Sequence, residues 1–222
     1  MPTTLLYLVR HGEAGPTPDA DRADAGLADH TGGPADRRGP GDHANHGLTA
    51  RGRDQAELLG ARLAAVHARA GIDVIRHSPL RRAAQTAQLL SAHLPGVPVE
   101  VSEHLRDRTP ILTGDEAAPI PPQYLPFLAA VPDPERDPGA VRLREAVAAL
   151  ARPGAGDRAE VLVTHAFVLG WLIRHALDAP PWRWIGLNPS NCGLTVIEVA
   201  DRREPRLVRY DDVGHLECGH LG

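Results

Sequence analysis

Two stretches of this chain, "TTLLYLV" at Thr3–Val9 and "AEVLVTH" at Ala159–His165, are apolar at nearly consecutive positions rather than at alternate ones. An extended segment of that kind has no face to give to water and must be covered on both sides. Helices supply such cover, and helical spacing is present between the two runs. "LTARGRDQAELLGARLAAVHARAG" sets Ala56, Leu59, Leu63 and Val66 on one face, with Thr49 suited to cap the helix and Gly71 to end it. After a strand "IDVIRHS", Ser78 and Pro79 fit the cap and first turn of a second helix through about His93, its inner face being Ala83, Ala87 and Leu90.

Further on, "VPVEV" reads as a short strand, and Thr109 to Pro138 as proline-punctuated loops around a short helix near residues 124–130. "AVRLREAVAALA" and "FVLGWLIRHALD" are helices on either side of the second buried strand, and "LTVIEV" and "RLVRY" close the chain as strands. Strands alternating with helices predict an α/β fold, a three-layer α/β/α sandwich with a mostly parallel central sheet. A chain of 222 residues is long enough to bury one such core, so residues 1–222 are expected to form a single domain.

One segment does not fit the layers. From about 15 to 47 the sequence is rich in Gly, Pro and Asp, with Leu27 as its only large apolar residue, too little to offset the entropy of ordering. It is expected to be a mobile insertion. Its "DHANH" places Asp42, His43 and His46 at a spacing that permits metal binding, but a histidine-bearing solvated loop is far commoner, and no metal site is expected.

Composition narrows the partners. The formal net charge of −4 argues against general nucleic-acid or membrane-surface binding. All 24 basic residues are arginine, so the arginine tally by itself is no sign of phosphate binding. Cys192 and Cys218 form neither a CxxC pair nor a disulfide framework, and no signal-like or bilayer-length apolar run occurs, so a soluble cytoplasmic protein is expected.

Polar clusters stand where the predicted strands end: Arg10 with His11, Ser78 with Arg82 beyond it, and Thr164 with His165. Ligands of open α/β sheets collect at that edge. The tripeptide RHG alone would be weak, with roughly 0.13 chance occurrences in a chain of this composition. Three clusters at one edge are harder to attribute to chance.

Four segments, "RHGE" at 10–13, "LTARGRDQA" at 48–56, "SPLRRAAQTA" at 78–87 and "VTHA" at 163–166, together resemble the histidine phosphatase superfamily, the phosphoglycerate-mutase-like fold, in the order that family shows. The resemblance covers nearly the whole chain. It implies that Arg10, Arg82 and His165 form a phosphate pocket and that His11 is a nucleophile that becomes phosphohistidine. Such chemistry suits the residue types: a planar guanidinium matches phosphoryl oxygens, and nearby cations keep an imidazole unprotonated and nucleophilic. Two arginines supply the charge that a metal would otherwise supply, so no cofactor or metal is expected. Gly12 is expected to leave room for the phosphoryl group to approach the backbone.

The resemblance places the proton donor at Asp107 in "EHLRDRTPI", where the family's usual residue is glutamate; Glu103 and Glu13 are the alternatives. Thr17 stands where mutases of the family carry asparagine after RHGE, and no long C-terminal tail follows, so a phosphatase is favoured over a mutase. The expected partner is a small phosphorylated substrate, with a phosphoprotein also compatible; the competing readings are a phosphoglycerate mutase-type phosphoryl transfer and a non-catalytic phospho-ligand binder. Trp182 and Trp184 are expected in the core or its rim, Asn191 and Cys192 as backbone support, and His215 at the surface.

Overall fold

A computed structural model describes residues 2–15 and 46–217. In chain order the elements are β1 (Thr3–Arg10), β2 (Ala14–Gly15), β3 (Gly47–Leu48), α1 (Ala50–Ala70), β4 (Val74–His77), α2 (Arg81–Ala92), β5 (Val99–Val101) and β6 (Thr109–Ile111). There follow α3 (Leu125–Ala129), β7 (Arg136–Pro138), α4 (Val141–Leu150), β8 (Arg158–Thr164), α5 (Ala166–Ala176), β9 (Leu194–Ala200), β10 (Arg203–Asp212) and α6 (Gly214–Glu217).

The main sheet has six strands in the order β10-β9-β1-β8-β4-β5. β1 pairs with β8, β8 with β4, and β4 with β5, all parallel; β9 lies antiparallel to both β1 and β10. The continuous apolarity of β1 has a direct structural cause. Leu6 and Leu8 point to one layer, with Leu143, Val168 and Trp171 of α4 and α5, while Tyr7 and Val9 point to the other, with Leu59, Leu63 and Leu90 of α1 and α2. β8 divides its side chains the same way, Leu162 against Val161 and Val163. Each such buried side chain contributes about 1.5–3 kcal/mol relative to exposure, and the two layers together pin the register.

α1 begins where Thr49 accepts the Gly52 N–H at 3.0 Å and ends at Gly71, whose φ of 73° needs a residue without a side chain. α2 departs from the sequence reading. It starts at Arg81, and its capping residue Leu80 offers no side-chain bond. The Ser78 hydroxyl accepts from His165 Nε2 at 2.8 Å and from the Leu80 N–H at 3.3 Å, so the serine serves the sheet edge as well as the approach to the helix.

The proline-punctuated region holds the short helix α3, but also two three-residue strands, β6 and β7, paired parallel to each other. They were invisible as strands because each contains a proline. β7 carries the buried carboxylate of Asp137, which accepts the Arg142 and Leu143 N–H groups at 3.1 and 2.9 Å and so caps α4. β2 and β3 pair antiparallel, Ala14 with Leu48 and Gly15 with Gly47, which ties together the two ends of the segment read as an insertion. The remainder of that insertion, including Asp42 and His43 of the permissive metal spacing, lies outside the described residues.

Candidate functional site

Parallel pairing brings the carboxyl ends of β1, β8 and β4 to one edge. Arg10 is opposite Thr164 and His77 opposite Val163, and the ladder continues past the strands: the His11 N–H donates to the Thr164 carbonyl at 3.0 Å and the Ser78 N–H to that of Val163 at 2.9 Å. His11 and Ser78 are thus placed by backbone hydrogen bonds, and His165 by following directly on Thr164 at the end of β8. α2, leaving the end of β4, brings Arg82 to the same point.

Arg82 is 2% exposed and sits at the centre. Its Nε donates to His11 Nε2 at 3.0 Å, while Nη2 lies 3.2 Å from Asp107 Oδ2 and 3.0 Å from His165 Nδ1. The two imidazole centroids are 5.1 Å apart. His11 Nδ1 donates to its neighbour's carbonyl, Gly12 O, at 2.8 Å, which leaves the lone pair on Nε2. Since guanidinium nitrogens only donate, His165 Nδ1 is an acceptor and its Nε2 donates to Ser78 Oγ at 2.8 Å. Both rings are therefore neutral and oriented.

Electrostatics agree with this. Burial first, then the Arg82 and Arg10 charges, hold His11 well below the ordinary histidine range, against a smaller opposing effect of the Gly12 carbonyl. Burial and Arg82 do the same to His165. Arg10 bonds to none of the three: its Nη1 donates to the Pro189 carbonyl at 2.8 Å and to Asn188 Oδ1 at 3.3 Å, and its buried Nε has no hydrogen-bond partner among the described residues. A buried donor of that kind next to a second guanidinium is chemically suited to an anion.

The three carboxylates considered from sequence fall in different places. Asp107, 7% exposed, lies at Arg82 and 3.3 Å from His165 Nδ1. It is delivered by the turn at Glu103–Leu105, which Thr164 Oγ1 holds by donating to the Leu105 carbonyl at 2.6 Å. Glu103 is exposed and turned to Arg106, whose two hydrogen bonds keep it below the usual carboxylate range. Glu13 accepts from the Thr49 hydroxyl at 2.9 Å beside the start of α1.

Gly12 has a different purpose from the one expected. A Cβ there would overlap the carbonyl of Gly52, and a Cβ at Gly52 would overlap the backbone of Glu13. The absent side chain lets α1 lie against the strand end; it does not open space for a phosphoryl group. Trp184 is buried and Trp182 packs on the same core. Asn191 donates to the His11 carbonyl at 2.8 Å, and Cys192 is buried with its thiol pushed up to about 12 by desolvation. His215 is half-buried rather than at the surface, with Nε2 3.0 Å from the Cys192 carbonyl.

Several supporting residues had no individual signal. Thr86 accepts the Gly12 N–H at 3.0 Å, Gln55 that of Glu13 at 2.9 Å, and Gln85 that of Leu48 at 2.8 Å. They belong to the quoted "QTA" and "QA" segments, which marked their positions without disclosing that they hold backbone. Beside the cluster opens a cleft of about 690 Å³, with Arg10, Glu13, Arg51, Asn188, Val213 and Leu216 in its walls. A recess of about 230 Å³ lies by Asp107, between Leu80, Arg106, Arg108 and Pro134.

Comparison with known proteins bears on what this cluster is. The chain is 32% identical over 179 residues to "Serine/threonine-protein phosphatase Pgam5, mitochondrial" of Caenorhabditis elegans, covering 79% of this chain and 60% of that protein. For the Homo sapiens protein of that name the identity is 30% over 171 residues, covering 76% and 56%. The chain thus spans about three fifths of the length of these curated relatives. They are named mitochondrial, so the comparisons do not support the expected cytoplasmic location; among the described residues no helix is long and apolar enough to cross a membrane.

Among solved structures, Bacillus stearothermophilus YhfR superposes with a TM-score of 0.64 at 23% identity, covering 96% of this chain and 99% of that one. The alpha-ribazole phosphatase of Shigella flexneri gives 0.61 at 20%, covering 94% and 96%. These likenesses show a shared phosphoglycerate-mutase-like fold. The family model described as "Histidine phosphatase superfamily (branch 1)" matches residues 6–213, from the first buried strand to the turn after β10. On that match the chain belongs to the histidine phosphatase superfamily.

Proposed function

We propose that this chain is a phosphatase that hydrolyses phosphate monoesters through a phosphohistidine on His11, without a metal. The observation that carries the reading is the His11 ring itself: Nδ1 is occupied by the Gly12 carbonyl, and the Nε2 lone pair faces the Arg82 guanidinium with Arg10 close by. A phosphoryl group arriving there takes over the Arg82 donors and the unpartnered Nε of Arg10, which neutralise its charge in the way a metal would.

His11 Nε2 forms a bond to phosphorus as the ester P–O bond breaks, and the departing alkoxide takes a proton from Asp107. Water then attacks phosphorus, gives its proton back to the Asp107 carboxylate, and releases phosphate and neutral His11. His165, held by Ser78, donates no charge of its own but lines the pocket opposite His11. The relatives' name as serine/threonine-protein phosphatases supports phosphoprotein side chains among the substrates, and the open cleft beside Arg10 gives such a chain a place to lie.

The test is hydrolysis of p-nitrophenyl phosphate in EDTA, with the enzyme quenched in acid and in base. The expected result is turnover that survives EDTA and an acid-labile, base-stable phosphoenzyme that His11→Ala abolishes. Unchanged turnover in His11→Ala would overturn the reading.

A further inference from the structure

The phosphate-side guanidinium of Arg10 is not held by its own strand. Its hydrogen bonds go to Asn188 and Pro189, in the loop that precedes β9. The same loop supports His11 from behind, through the Asn191 side chain, and receives the strand end through the Cys192 N–H, which donates to the Arg10 carbonyl at 2.9 Å. Whatever places residues 188–193 therefore places Arg10.

That loop is clamped by the far end of β10. Asp211 Oδ1 accepts the Ser190 N–H at 2.8 Å, and Oδ2 accepts the Ser190 hydroxyl at 2.9 Å. The Asp211 N–H itself donates to Thr195 Oγ1 at 3.1 Å. Two residues other than glycine adopt left-handed backbone here, Cys192 at φ 53° and Asp211 at φ 44°, a conformation with a steric cost that surrounding contacts must offset. Gly193 packs so close that a side chain there would overlap the Asp211 carboxylate. Behind this, Arg62 of α1 holds Asp212 by two hydrogen bonds, at 2.9 and 2.5 Å, and His215 reaches the Cys192 carbonyl.

We propose that Asp211 is a positioning residue for Arg10: by gripping Ser190 with both carboxylate oxygens it fixes the 188–193 loop, and with it the angle at which the Arg10 guanidinium meets a phosphoryl group. Asp211 touches neither the substrate nor the reacting atoms. The inference rests on the phosphate-site reading above and adds to it a residue more than 200 positions along the chain from Arg10.

Binding of inorganic phosphate, measured by calorimetry, is the readout, together with KM and kcat on p-nitrophenyl phosphate. Asp211→Ala removes both contacts and is expected to weaken phosphate binding and raise KM about tenfold or more, as misplacement of a binding group does. Asp211→Asn keeps an oxygen for the Ser190 N–H and an amide for its hydroxyl, and asparagine tolerates left-handed backbone. It should recover phosphate affinity to within about threefold of wild type, even though the negative charge near Arg10 is gone.

Ser190→Ala, which deletes only the hydroxyl contact, should fall between the two and guards against poor folding of the alanine variant. Phosphate affinity unchanged in both Asp211→Ala and Ser190→Ala would overturn the inference while leaving the site reading intact. So would an asparagine variant as weak as the alanine one, since that would make charge and not position the cause. Failure of the wild type to bind phosphate would overturn the site reading itself, and the inference with it.

Discussion

Acidification should destabilise this protein through its own site. His11 and His165 are buried, neutral and held well below the ordinary histidine value in the folded state, whereas in the unfolded chain each takes up a proton near pH 6.5. A base whose folded-state pKa is depressed binds fewer protons folded than unfolded, so stability is complete above pH 6.5 and is lost as the pH falls below it. One such group costs on the order of 1 kcal/mol between pH 7.5 and 5.5, and the pair roughly twice that, an appreciable part of a typical folding free energy. The perturbation that isolates the effect is the double variant His11→Asn, His165→Asn, compared with wild type by urea unfolding at both pH values. His175 and His215, also held low by burial, titrate equally in both proteins and cancel. The variant is expected to lose on the order of 2 kcal/mol less than wild type over that interval, whatever its absolute stability. Parallel pH profiles, agreeing within about 0.5 kcal/mol, would show that the two rings accept protons in the folded state and would refute the electrostatic account of the site.

Two further outcomes follow from the packing and the carboxylates. Gly12→Ala should lower the melting temperature and cost about 2 kcal/mol or more, because its Cβ overlaps backbone and not a movable side chain; a melt unchanged from wild type would contradict the close α1 contact. In single-turnover experiments Asp107→Asn should slow phosphoenzyme formation from an alkyl phosphate such as phosphoserine by about a hundredfold, and from p-nitrophenyl phosphate much less, since that leaving group needs little help from an acid, while steady-state turnover of both falls because phosphoenzyme hydrolysis uses the same carboxylate as base. Glu103→Gln should stay within about twofold of wild type on both substrates, and the reverse pattern would move the acid to Glu103.

The sheet was legible because burial on both faces writes itself into consecutive residues, as at Leu6 to Val9 and Val161 to Val163. Helix α1 was legible because Thr49 and Gly71 are chemically specific to its two ends. Where a residue has two physical uses, pattern misleads. Ser78 looks like a helix cap, yet α2 starts three residues later and its hydroxyl also accepts the His165 N–H; Gly12 looks like space for a ligand, yet the space is filled by Gly52. β6 and β7 each hold a proline that conceals them as strands, while β7 carries the Asp137 cap of α4. The Asp211 clamp joins residues brought together only by the β9–β10 hairpin, and no spacing along the chain encodes it.

The back-to-back glycines at 12 and 52, together with the short β2–β3 pairing, lock down both borders of the stretch from 16 to 45. The two chain ends that flank this stretch thus meet at one fixed place beside His11, so a change confined to residues 16–45 is expected to leave the backbone of Arg10 to Glu13 where it is.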